Sequence, residues 1–83
     1  MRVKEITAEK KRKRIGLEIK KARRYKNITQ EELAKNVNLS RTYLSDIENG
    51  RYMPSVKTLT ALAVSLEMDL NFLAKDGNTS KMI

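Results

Sequence analysis

Apolar residues recur every three or four positions along most of this chain, with no run of alternating β-branched residues. That spacing lays apolar side chains along one face of a helix, whereas a half-buried strand needs a period of two. Ile15, Ile19 and Ala22 mark such a face in a first helix predicted to start after Thr7 and cover 8–26, where Asn27 breaks it. Further helices are predicted over 30–36, 41–49, 56–66 and 70–75. In the fourth of the five, Val56, Leu59, Leu62, Ala63 and Leu66 form the core stripe. The fold class is all-α and compact. A basic N-terminal arm or helix extension occupies 1–14, a helical domain 15–75, and a flexible tail 76–83, where "DGNTSKMI" has little that can pack.

Three of the helix starts share one local design. Thr29 precedes "QEEL" and can form a capping box with Glu32, while Ile28 and Leu33 stand in the two positions of a hydrophobic staple. Ser40 precedes "RTYL", with Leu39 and Leu44 in the same relation, and Asp69 precedes "LNFL", with Met68 and Leu73. Each cap offers an oxygen to N–H groups that the helix leaves unbonded, typically worth ~1 kcal/mol. The fourth helix opens at Ser55 after Pro54.

Composition narrows the chemistry. The 83 residues suffice for one small domain. There is no cysteine and no histidine, which removes disulfides, thiolate metal sites and the commonest general base. No paired carboxylates or Gly-rich phosphate loop stand out either, so the expectation is no enzyme, no metal and no cofactor. No apolar run approaches the ~20 residues of a membrane span, and no signal-peptide core is present, which predicts a cytoplasmic protein without membrane partners. Charge is the strongest clue: 18 Lys+Arg stand against 10 Asp+Glu, a formal +8. The excess lies in residues 1–26, with 12 basic and 3 acidic side chains, against 6 and 7 in the rest. Such an imbalance suits a polyanion, although it serves equally as a solubilising coat.

Between the second and third helices the turn Val37–Ser40 is very short. Two helices joined so tightly cross steeply and make the second project from the body. Ala34 is small where they approach, and Val37, Leu44 and Ile47 face inward. Asn38 and Asn27 sit where the chain must turn, and Asn tolerates a left-handed backbone. In "ITQEELA", "LSRTYLSDIENG", "PSVKTL" and "LAVSLEMDLNFL", in this order between Ile15 and Leu73, the chain resembles the lambda-repressor-like, Cro/Xre-type helix-turn-helix family. Asn27 and Asn38 replace the glycines usual there, and Ala22 a larger apolar residue. The resemblance implies a five-helix domain that inserts its third helix, Arg41–Asn49, in the major groove of DNA. It also implies a buried ion pair between Arg23 and Glu48, joining the first and third helices.

At 100° per residue, with Arg41 at zero, Leu44 and Ile47 fall at about 300° and 240°. Arg41, Thr42, Ser45, Asp46 and Asn49 spread over the opposite side. Arg41 can meet guanine O6 and N7, Thr42 a thymine methyl, and Asp46 the cytosine N4 donor, each worth ~1–3 kcal/mol of discrimination. Asp46 alternatively penalises wrong sequences or stands at the rim, and Tyr43, beside the core, either reaches a phosphate or only packs. Thr29 and Gln30 at the start of the second helix, and Asn49, Arg51 and Tyr52 after the third, match backbone-contacting places in the family. The run Lys10–Arg14 has no family counterpart; it is either a phosphate-gripping extension or a solvated helix face.

The function expected is a sequence-specific, double-stranded-DNA-binding transcriptional regulator, a repressor rather than an activator. It would act as a homodimer with Met68 and Phe72 near the interface and associate with the nucleoid through DNA. Two alternatives remain open: an antitoxin-type interaction module of the same fold, with a small protein partner, and a non-specific nucleic-acid binder.

Overall fold

The computed structural model describes residues 2–69 and Asn71, with side chains from Thr7 onward. Its elements are α1 (Arg2–Tyr25), α2 (Gln30–Asn36), α3 (Arg41–Glu48) and α4 (Val56–Leu66). The five-helix expectation is reduced to four among the described residues. The predicted fifth helix, with Phe72 and Leu73, lies outside them apart from Asn71, whose N–H donates to Asp69 Oδ1 at 2.9 Å.

α1 begins well before Thr7. Nothing between Arg2 and Ile15 breaks a helix: the stretch lacks Gly and Pro and is rich in Lys, Arg and Glu, all good helix formers. Glu9 and Lys13, four residues apart, add an ion pair along it at 3.3 Å. One threonine cannot outweigh that.

The other starts follow the local rules. Thr29 Oγ1 accepts from the Glu32 N–H at 3.0 Å, and Glu32 Oε1 accepts from the Thr29 N–H at 2.9 Å. Ser40 Oγ accepts from the Tyr43 N–H and Ser55 Oγ from the Thr58 N–H. Asn27 and Asn38 take φ of 59° and 60°, ending α1 and α2 in the left-handed region. Glu67 does the same after α4, φ 57°, where no residue preference signals it.

One cluster forms the core. Ile15 and Ile19 of α1 meet Leu33 and Ala34 of α2, Leu44 and Ile47 of α3, and Leu59, Leu62 and Leu66 of α4. Ile19, Leu33, Leu44, Ile47 and Leu62 are fully buried, and each such side chain contributes roughly 1.5–3 kcal/mol on leaving water. Both complete staples, Ile28–Leu33 and Leu39–Leu44, join this cluster. Val56 does not: it is 82% exposed. It has the right angle on the helix, but the first turn of α4 overhangs the edge of the core.

Candidate nucleic-acid interface

α3 is held by its apolar side and offers its polar side to solvent. Leu44 and Ile47 have no exposure, whereas Arg41, Thr42 and Asn49 are exposed and Ser45 is half-buried. Arg41, Thr42 and Ser45 line one shallow hollow on that side, with no residue of another described element in its lining. Asp46 is half-buried and engaged: its Oδ1 accepts from Arg51 Nη1 at 2.9 Å, and its backbone carbonyl accepts from the Arg51 N–H, also at 2.9 Å. The chain leaving α3 therefore folds back over the helix end. Tyr52 follows Arg51, and its ring sits 6.2 Å from that of Tyr43 at a tilt of 44°.

Behind α3 lies a buried polar network. Arg23 Nε donates to Glu48 Oε2 at 2.7 Å and Nη2 to Oε1 at 3.0 Å, a two-pronged pair with both residues under 10% exposed. Arg23 Nη1 also donates to the Ile28 carbonyl at 2.9 Å, and Gln30 Nε2 donates to Glu48 Oε1 at 3.0 Å. The Glu48 hydrogen bond raises the Arg23 guanidinium above its ordinary range, against the opposing cost of burial. This network ties the end of α1, the start of α2 and the end of α3 together. Isolated buried charges are costly, but here each donor has a planar acceptor and no buried side-chain polar atom among the described residues lacks a partner.

Two places were not visible as functional from the residues alone. Gly16 stands where α1 crosses the end of α3: a Cβ there would lie 2.3 Å from the Ile47 carbonyl oxygen and 2.7 Å from that of Glu48. A glycine inside an otherwise helical pattern is the signal for such a crossing. The second is Arg12, whose Nε donates to the Gly50 carbonyl at 3.3 Å. Gly50 has φ 77° and lies against Lys13. The basic run Lys10–Arg14 is thus part of a helix lying beside the loop after α3.

Lys20, Arg23 and Arg24 of α1, with Asn27, Thr29, Gln30 and Arg41, border an open basic cleft in which Glu31 is the acidic member. Met68 is half-buried against the core, and Phe72 lies outside the described residues. Among the described residues no cluster of His, Cys, Asp and Glu could hold a metal ion. No described helix is long and apolar enough to cross a membrane.

Known proteins resemble this chain over most of its length. A model of the helix-turn-helix family matches residues 19–73. The ImmF control region 10 kDa protein of Bacillus phage phi105 is 54% identical over 61 residues, 74% of this chain and 68% of that protein. The immunity repressor protein of the same phage is 46% identical over 57 residues, 69% of this chain; the match spans only 40% of the repressor's length. Control protein C.MunI of Mycoplasma is 38% identical over 64 residues, 76% of this chain and 86% of that protein. By the family match and by these likenesses, the chain belongs to the Cro/Xre-type helix-turn-helix family.

Proposed function

We propose that this chain is a transcriptional regulator that binds double-stranded DNA sequence-specifically, with α3 lying in the major groove. The observation that carries it is the two-sidedness of α3: the Leu44–Ile47 side is sealed in the core, and the Arg41–Thr42–Ser45 side is uncovered. Arg41 reads a guanine by its fork of donors, Thr42 packs on a thymine methyl or base edge, and Ser45 bonds a base edge. Asp46 accepts from cytosine N4 while Arg51 offsets its charge, which eases the approach of a carboxylate to phosphates. Thr29, Gln30, Tyr43, Asn49, Arg51 and Tyr52 contact phosphates, fixing register and carrying no sequence information directly. The relative named as an immunity repressor protein favours repression over activation.

A homodimer completes this reading, since two copies place two recognition helices about one DNA turn apart. The decisive experiment is selection of duplexes from a random pool, followed by competition with random duplex. A selected duplex should be preferred by at least ~10³; a preference below tenfold at the same salt would leave only a non-specific binder.

A further inference from the structure

We propose that α1 is itself a DNA-contacting element, with Lys13, Lys20 and Arg24 forming a phosphate-binding ridge beside α3. This inference rests on the DNA-binding reading above and extends it to a helix outside the helix-turn-helix.

The three residues stand seven and four positions apart and so share one side of α1, within about 40° of one another at 100° per residue. One end of that side meets the loop after α3, where Lys13 lies against Gly50, next to Arg51 and Tyr52. The other end borders the basic cleft, where Lys20 and Arg24 stand with Thr29, Gln30 and Arg41. The ridge therefore runs between the two places proposed to touch the DNA backbone. Lys20 and Arg24 have no acidic side chain within 4 Å among the described residues. Lys13 pairs with Glu9 at 3.3 Å, but both side chains are more than half exposed, and such pairs are weak enough for a phosphate to displace. Arg12 pins this part of α1 to the Gly50 carbonyl, which holds the ridge at a fixed distance from the loop. Arg12 and Lys13 lie N-terminal to residue 19, where the family match begins.

The test compares salt dependence of binding to the selected duplex for two triple variants of equal charge. One carries Lys13→Gln, Lys20→Gln and Arg24→Gln; the other carries Lys11→Gln, Lys21→Gln and Lys57→Gln, on other faces. Each phosphate left without its cation should flatten the log–log slope by about 0.9. Per DNA-bound subunit, the ridge triple is expected to flatten it by about two to three units, with equal weakening on selected and random DNA, and the control triple by less than one. A charge-preserving triple, Lys13→Arg, Lys20→Arg and Arg24→Lys, should keep the wild-type slope, and thermal melting checks that all variants fold. Equal slopes for the two neutralised triples, or a flattened slope in the charge-preserving one, would overturn the ridge. A wild-type chain with no preference for any selected duplex would instead overturn sequence-specific reading and leave the ridge to be judged by the slopes on random DNA.

Discussion

Arg23 and Glu48 show how a single residue can set the geometry of a reading helix. Removing either partner leaves the other buried and charged, so Arg23→Ala should cost ~3–5 kcal/mol in urea unfolding; a loss below about 1 kcal/mol would show the pair to be dispensable. The raised Arg23 value has a definite sign: its contribution is complete below the ordinary arginine range and is lost only above it. Exposed Glu67 is the opposite case. The Lys26 hydrogen bond lowers its carboxyl, so its contribution is present above the ordinary glutamate range and is lost as the pH falls through the lowered value. Some of this was legible in the residues. The side of Arg41, Thr42 and Ser45 follows from helical angle alone, whereas the Arg51–Asp46 and Gln30–Glu48 bonds depend on how loops and helices converge, which no local pattern records.

Helices were legible where their ends carry chemistry. Thr29, Ser40 and Ser55 cap where their hydroxyls suggest, and Asn27 and Asn38 end helices with a positive φ. The start of α1 was not legible, because a favourable run of charged residues has no boundary of its own. Val56 was misplaced because angle describes a face and says nothing of where the core stops. Crossing distance is likewise invisible to periodicity, and Gly16 carries it. Gly16→Ala gains up to ~1 kcal/mol of helix propensity but sets a methyl against the Ile47 and Glu48 carbonyls, and such overpacking costs ~1–3 kcal/mol or more. The expected net result is a lower melting temperature and weaker DNA binding, because α3 is pushed off α1. A variant as stable as wild type would contradict so close a crossing.

The whole molecule is a small core wrapped by helices whose charge is concentrated in α1, and this asymmetry makes salt an informative variable. For about every six phosphates the bound protein neutralises, the log–log slope of binding should steepen by roughly 5. Assembly is a separate question: Phe72→Glu should yield monomers in sedimentation if the proposed dimer uses that region, and an unchanged coefficient would reject it. The central claim is that α3 reads base edges, and Arg41 tests it most directly. Wild type and Arg41→Ala should be measured against every single-base-pair substitution of a selected duplex. The variant is expected to lose ~1–3 kcal/mol of discrimination at one base pair and to keep its preferences elsewhere; equal weakening on every duplex, with all preferences retained, would contradict base reading by α3.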